Sequence, residues 1–238
     1  SRLYVMNNSS STISVVNTAT DTVISTIAVA TQPQRLAVSP DGTRGYLTAN
    51  PNKLQVIDLV NGTVLSTLVV GSLPNPIVLN AAGTRAYVAY AGDSMIRVFD
   101  TATTAVVGSV VLGTNKAPNG IVLSPNEQKL FVSQFLTNDA VEIDVATLTI
   151  GTTYPVGTRP YGVDISADGA RVYIANRDSG SLSVIDTAAH MVVDTIDLGA
   201  SAQPWAIGRF LQPEVVVAIT SAPPSGGKWH TPYSFTVT

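Results

Sequence analysis

The chain contains no cysteine among its 238 residues, and only 12% of its residues are charged. The absence of cysteine excludes a disulfide framework, a thiolate metal site and a cysteine nucleophile. The formal net charge of −3 comes without any run of Lys or Arg. Such a surface offers no electrostatic attraction to nucleic acid or to an anionic membrane, so neither is expected as a partner.

The chain also lacks long hydrophobic runs: no stretch of about 18 apolar residues, the length needed to span a membrane as a helix, occurs. Insertion into a membrane through a helix is therefore not expected. The predicted loops are rich in Ser, Thr, Asn and Gly and poor in charge. This composition favours an extracellular or cell-surface protein, and a mature secreted chain has lost its signal peptide.

Hydrophobic residues make up 45% of the chain, which is enough to build a buried core, and they recur in a repeating pattern. Five segments begin with a proline followed by a short apolar run, at Pro33, Pro74, Pro118, Pro160 and Pro204. The differences between these numbers give spacings of 41, 44, 42 and 44 residues. A period of this length with short alternating strands is typical of a β-propeller, in which each repeat forms one four-stranded blade.

Each repeat contains the same parts in the same order. A tight turn rich in Pro, Asp and Gly follows the first strand, a basic residue opens the second strand, and an acid ends the third. The basic positions are Arg2, Arg44, Arg85, Lys129 and Arg171, and the acidic positions are Asp58, Asp100, Asp144 and Asp186. Because the repeat spaces these residues far apart around a ring, we interpret both sets as structural, with the acids capping the next turn.

The two ends of the repeat array complement each other. The chain begins with a second strand at Arg2, and its missing first strand is found at residues 204–210. The sequence therefore predicts an all-β, five-bladed β-propeller of four-stranded antiparallel blades over residues 1–211. Pairing of the 204–210 strand with the N-terminal blade is expected to close the ring, which removes an open sheet edge. Blades missing upstream would give the same tally of strands.

Two motif sets resemble the YVTN family of β-propeller repeats. They are LYVMN at 3–7 with ISVVNT, and VYIAN at 172–176 with LSVIDT. The resemblance covers residues 1–211, although the motif is degenerate in the middle repeats. This family is known from surface-layer and secreted proteins of archaea and bacteria, so the resemblance implies a binding, adhesion or structural module.

The tail at 212–238 resembles the opening strands of a bacterial Ig-like domain. Two strands do not make a sandwich, which needs about seven. We therefore expect either that the natural protein is longer, which we favour, or that the tail packs on the propeller or on a neighbouring chain.

A ligand site is expected at the mouth of the central channel, where the residues that follow the anchoring prolines converge. These residues are Gln34, Asn75, Asn119, Tyr161 and Trp205, and they are flanked by Gln32, Arg35, Lys116, Arg159 and Gln203. Amides offer paired donors and acceptors, and Tyr and Trp offer a flat apolar face with a polar tip. The set suits a glycan or a protein partner, but it would equally serve to plug a narrow channel.

Catalysis is the alternative prediction. A propeller lactonase or glycosidase needs carboxylates near the channel, and Asp164 is the one acid that falls on a first strand. Such an enzyme would combine Asp164 with Arg35, Lys116 or Arg159. The two histidines, His190 and His230, are expected to be isolated surface residues. The favoured interpretation is a non-catalytic module without catalytic residues, cofactor or metal ligands; the oligomeric state does not follow from the sequence.

Overall fold

The computed structural model describes residues 1–199, 201–204 and 210–211. These residues form nineteen β-strands and no helix, so none of them belongs to a helix able to cross a membrane. The strands build five antiparallel sheets, which we number as blades in chain order. Blade 1 contains β1 (Arg2–Asn7), β2 (Thr12–Asn17) and β3 (Thr22–Ala28). Blade 2 contains β4 (Pro33–Val38), β5 (Arg44–Ala49), β6 (Lys53–Asp58) and β7 (Thr63–Val69).

The remaining three blades each have four strands. Blade 3 contains β8 (Pro74–Leu79), β9 (Arg85–Tyr90), β10 (Met95–Asp100) and β11 (Val106–Val111). Blade 4 contains β12 (Pro118–Leu123), β13 (Lys129–Gln134), β14 (Asp139–Asp144) and β15 (Thr149–Pro155). Blade 5 contains β16 (Pro160–Ile165), β17 (Arg171–Asn176), β18 (Ser181–Asp186) and β19 (Met191–Asp197).

The core lies between neighbouring blades. One apolar cluster joins blade 1 to blade 2, and others join blade 2 to 3, 3 to 4, and 4 to 5. The second and third strands of blades 2 to 5 are largely buried, as in Leu47 and Ile57, because neighbouring blades pack against them. Fourth strands lie at the rim and expose apolar side chains such as Val69 and Val111.

The first strands surround a central cavity. This cavity has a volume of about 220 Å³ and is lined by residues from all five blades, such as Met6, Arg35, Pro76, Asn119 and Gly162. The all-β propeller predicted from the repeat is confirmed, with the difference that blade 1 has three strands in the described chain. Most of the predicted closing strand at 204–210, and the whole tail at 212–238, lie outside the described residues.

Each first strand begins at its proline, where the missing N–H costs no ladder bond. The residue before the proline adopts a left-handed backbone conformation in all four described cases: φ is 54° at Gln32, 51° at Leu73, 45° at Ala117 and 51° at Arg159. Its carbonyl accepts the N–H of the residue after the second strand, for example Arg177 N to Arg159 O at 3.1 Å. These loops therefore share one face of the propeller, here named the proline face.

The opposite face is formed by the turns between first and second strands and between third and fourth strands, and is here named the turn face. The two kinds of turn are linked directly in blade 5, where Thr187 Oγ1 donates to Gly169 O at 2.8 Å. Every first strand thus runs from the proline face to the turn face.

Candidate functional site

The proline-face opening of the central cavity, here named the mouth, brings four of the predicted site residues together. Gln34, Asn75, Asn119 and Tyr161 are each the second residue of a first strand and are half-buried. Asn75 Nδ2 donates to Asn119 Oδ1 at 3.1 Å across blades 3 and 4. Gln34 instead folds back onto its own loop, donating to Gln32 O at 3.0 Å. The fifth predicted residue, Trp205, lies outside the described residues, whereas Gln203 is described and exposed.

Asn75 leaves one polar atom at the mouth without a partner. Its backbone carbonyl oxygen accepts a hydrogen bond from Thr48 Oγ1 at 2.7 Å, and its Nδ2 donates to Asn119 Oδ1. Its Oδ1 is buried and accepts no hydrogen bond from any residue that the structure describes. An acceptor left in this state costs free energy, which a group that brings an N–H or O–H donor would offset.

Arg35 supplies the positive charge of the central cavity. It lies on β4, is half-buried and lines the cavity beside Met6, Leu36 and Asn119. Its Nη1 donates to Gln34 O at 2.7 Å. No carboxylate oxygen lies within 4 Å of this guanidinium in the described part of the chain, in contrast to Arg85, Arg159 and Arg171, which form ion pairs.

An aromatic cluster stands beside the mouth and consists of Phe135, Tyr161 and Arg159. The two rings meet edge to face, with centroids 6.2 Å apart and an interplanar angle of 85°. The Arg159 guanidinium lies 5.4 Å from the Phe135 ring centroid and pairs with Asp178 Oδ2 at 3.2 Å. Sequence reasoning missed Phe135, because it belongs to the loop after a second strand and not to the proline-anchored pattern.

Lys116 directs its charge toward blade 4. Its Nζ lies 3.0 Å from Asp139 Oδ2, and its backbone N–H donates to Ser94 Oγ at 3.0 Å. The ammonium group therefore ties the loop between blades 3 and 4 to the third strand of blade 4. Its charge is already compensated, so Arg35 is the better cation for a ligand at the mouth.

Asp164 lies near the turn-face end of the first strand of blade 5 and is fully buried. Its Oδ2 accepts the backbone N–H groups of Phe210 at 2.6 Å and Leu211 at 2.7 Å. Its Oδ1 accepts the N–H of Ile165 at 2.9 Å. Asp164 lines a turn-face cavity of about 520 Å³ together with Glu127, whose carboxylate accepts the N–H of Ala81. Both carboxylates accept hydrogen bonds from backbone N–H groups. The enzyme alternative built on Asp164 stays a prediction.

The repeated aspartates cap the turns after third strands, as predicted. Asp58, Asp100, Asp144 and Asp186 each accept, through Oδ1, the backbone N–H groups two and three residues further on. These N–H bonds, led by those from Thr103 and Thr147, lower the pKa of Asp100 and of Asp144 to about 2. Arg85, Lys129 and Arg171 pair with the capping acid of their own blade.

His190 lies at the surface, as expected from the sequence, but the expectation that it is isolated was wrong. Its Nδ1 lies 3.2 Å from Glu142 Oε2, on the neighbouring blade. Glu142 is almost completely buried and also accepts Tyr154 Oη at 2.8 Å. The expectation failed because the two residues are 48 positions apart and belong to different repeats. The other histidine, His230, lies outside the described residues.

Among the described residues, no group of three or more His, Asp or Glu side chains is arranged to hold a metal ion. The polar side chains that the structure describes at the mouth are one guanidinium, three amides and a tyrosine. This arrangement suits hydrogen-bonded recognition of a ligand.

Comparisons with known proteins identify the fold as a β-propeller. The model of the YNCE-like beta-propeller family matches residues 46–209. A solved structure of Kuenenia stuttgartiensis hydrazine synthase is similar with a TM-score of 0.63 and 20% identity, over 78% of this chain and 73% of that chain. A functionally unknown protein from Desulfotomaculum acetoxidans DSM 771 is similar with a TM-score of 0.72 and 15% identity, over 82% of this chain and 66% of that chain. At these identities the two structures indicate the fold alone. No match was found among curated proteins.

Proposed function

Given that the chain belongs to the YNCE-like beta-propeller family, we propose that it is a non-catalytic binding module whose mouth receives a carboxylate-bearing group of a protein partner. The observation that carries this proposal is Arg35, a cation in the central cavity without a carboxylate partner among the described residues. A propeller fold by itself hosts many activities, so the proposal depends on this site.

A carboxylate is the group that best matches the mouth. A guanidinium has five N–H donors in a planar fork and binds carboxylates through two parallel hydrogen bonds. Only one bond from the Arg35 side chain is made within the described chain, to Gln34 O. At the same mouth, the buried Asn75 Oδ1 lacks a hydrogen-bond donor. A peptide carboxylate with its adjacent backbone N–H supplies both groups.

A protein partner fits the dimensions of the mouth better than an oligosaccharide. The central cavity of about 220 Å³ is smaller than the roughly 300–1,000 Å³ of small-molecule sites, so it admits one side chain or a chain terminus. On the same face, Leu73 and Leu136 are 43% and 56% exposed, and Leu136 directly follows Phe135 of the aromatic cluster. Aromatic residues and Arg are the residues enriched where protein interfaces concentrate their binding energy.

The test is a titration of the protein with N-acetylglycine, which carries a carboxylate next to an amide, followed by NMR of the arginine side chains. We expect saturable shifts of the Arg35 Nε–H signal, and no shifts with the uncharged N-acetylglycinamide. Arg35→Gln is expected to abolish binding. The matched control Arg44→Gln changes an arginine on the turn face and is expected to leave binding unchanged.

The outcome against the proposal is binding that persists in Arg35→Gln or that is absent from the wild-type protein. Arrays of peptides with free carboxyl termini and arrays of acidic glycans then separate the two classes of partner. Retention by glycans alone would support the glycan predicted from the sequence and contradict the protein partner.

The closure of the ring and the cellular location are further parts of this proposal. Closure by residues 204–210 is supported by the bonds from Phe210 and Leu211 to Asp164, which hold the chain against blade 5. The YVTN-type resemblance and the Ig-like tail support a secreted or cell-surface protein. Fractionation of the source cells tests the location, and recovery from the cytosol alone would contradict it.

A further inference from the structure

The cleft between blades 4 and 5 departs from the repeat at one buried position. Glu142 lies opposite Phe131 in the strand register. In the other four blades, the residue opposite the corresponding aromatic is a valine, and all four valines are buried: Val15, Val56, Val98 and Val184. A buried acid in place of valine lowers stability unless partners compensate it, and departures of this kind are expected at functional sites.

The residue that faces Glu142 from blade 5 departs from the repeat as well. His190 ends the turn after a third strand, at the position that Leu148 occupies in blade 4. Leu148 packs on Val98 and over Gly108 in the cleft between blades 3 and 4. An apolar Val–Leu contact in one cleft is thus replaced by a Glu–His contact in the next.

The contacts of Glu142 indicate the tautomer of His190. Lys129 Nζ lies 3.1 Å from Oε1, while Tyr154 Oη donates to Oε2 at 2.8 Å. Because Oε2 is an acceptor, Nδ1 of the neutral His190 imidazole carries the proton that faces it, and Nε2 is then an acceptor.

A cavity adjoins this histidine on the turn face. It has a volume of about 440 Å³, and His190, whose side chain is 51% exposed, forms part of its wall. Pro125 and Ala170 provide apolar surface, whereas Asn126 and Gln128 provide amides. This volume and this mixture of apolar surface with a few polar groups are those of a small-ligand site.

The cavity offers both acceptors and donors. Asp168 uses Oδ1 to accept Ser166 Oγ and the N–H of Ala170, and its Oδ2 makes no hydrogen bond within the described part of the chain. In the neutral imidazole, His190 Nε2 is a second acceptor, while the Asn126 and Gln128 amides carry N–H donors. A hydroxyl group both donates and accepts a hydrogen bond, so hydroxyl groups match this set.

We propose that this cavity, here named the cleft site, binds a neutral polyhydroxylated ligand the size of one or two sugar rings, with His190 and Asp168 accepting hydroxyl hydrogens. The ring lies over Pro125, and the Asn126 and Gln128 amides reach the remaining hydroxyls. The Glu142 carboxylate acts as a positioning group, because it orients the imidazole without touching the ligand. This site is separate from the mouth and does not depend on the function proposed there.

The experiment uses the whole chain with methyl glucoside, methyl mannoside and N-acetylglucosamine as probes. Saturation-transfer NMR detects bound sugar, and the imidazole ¹³C signals of His190, assigned by their absence from His190→Leu, report the site. We expect at least one probe to shift these signals in a saturable manner.

The matched variant combines Glu142→Val with His190→Leu, which restores the Val–Leu pair of the neighbouring cleft and is expected to fold. It is expected to abolish saturation transfer. Asp168→Ala, which leaves the core intact, is expected to weaken binding at least fivefold, whereas Arg35→Gln at the mouth leaves it unchanged.

The proposal is overturned if no probe binds, if binding survives in the Val–Leu variant, or if Zn²⁺ shifts His190 while no sugar does. Loss of N-acetylglycine binding at the mouth with retained sugar binding would refute the proposed function alone. The two proposals therefore fail separately.

Discussion

At the residue scale, the four capping aspartates illustrate chemistry that is local in the chain. Each bonds to backbone N–H groups two and three residues further on, so the pattern Asp followed by small residues was enough to predict the cap. The Glu142–His190 pair escaped prediction because its partners come from different repeats. The same is true of Arg35, whose importance depends on which charges lie within 4 Å of it in the folded chain.

The caps predict a pH dependence of stability. The pKa of Asp100 and of Asp144 is about 2 in the folded protein, below the ordinary value near 3.9 of an unfolded chain. Their ionised forms therefore stabilise the fold above about pH 4, and this contribution is lost as the pH falls from about 4 to 2. Urea unfolding of Asp100→Asn and Asp144→Asn is expected to show a deficit against the wild-type protein at pH 6 that shrinks toward pH 2. A deficit that is constant over this range would contradict the assignment.

At the element scale, the first strands pair irregularly with their second strands. Each of the four that the structure describes pairs with its second strand through a register shift just after the proline. The sequence predicted that these strands begin at the prolines. It did not predict the left-handed residue before each proline, since that position usually favours an extended backbone.

Asp164 provides a prediction about the anchoring of the last described segment. Asp164→Ala leaves the part-buried N–H groups of Phe210 and Leu211 without their acceptor, which costs about 1–3 kcal/mol of the free energy of unfolding. The matched control is Asp194→Ala, on an exposed outer strand, for which a change within about 0.5 kcal/mol is expected. Chemical denaturation measures both. Equal losses in the two variants would argue against the anchoring role.

A substitution at Gly120 tests how closely the first strands of blades 4 and 5 pack around the central cavity. A Cβ atom at this position would overlap the Tyr161 carbonyl oxygen and the Val163 side chain of blade 5. Gly120→Ala is therefore expected to destabilise the protein by about 1–3 kcal/mol through overpacking. Gly151→Ala is the control, because a Cβ there meets its neighbours at ordinary distances of 3.6 Å or more. Thermal unfolding of both variants gives the comparison, and a stable Gly120→Ala protein would show that blades 4 and 5 can separate.

At the scale of the whole molecule, the period of the sequence was sufficient to predict the number of blades and the order of strands within them. Such success is expected for a repeat protein, because each repeat contacts chiefly its neighbours and the same parts return in each. The candidate sites could not be predicted to the same degree. The Phe135 ring meets Tyr161 of the next blade, and the cleft site joins side chains of blades 4 and 5, so both depend on packing between repeats.

The alternation of strand direction within each blade separates the two candidate sites. The mouth lies where first strands begin, and the cleft site lies where third strands end, so they open toward opposite sides of the disc. An occupant of one side leaves the other side free. If both proposals hold, the molecule is a tether that links a protein on one side to a sugar-bearing surface on the other. Many copies attached to one surface would then present their mouths outward together, and a partner with several carboxylate-bearing groups would be retained far longer than one with a single group.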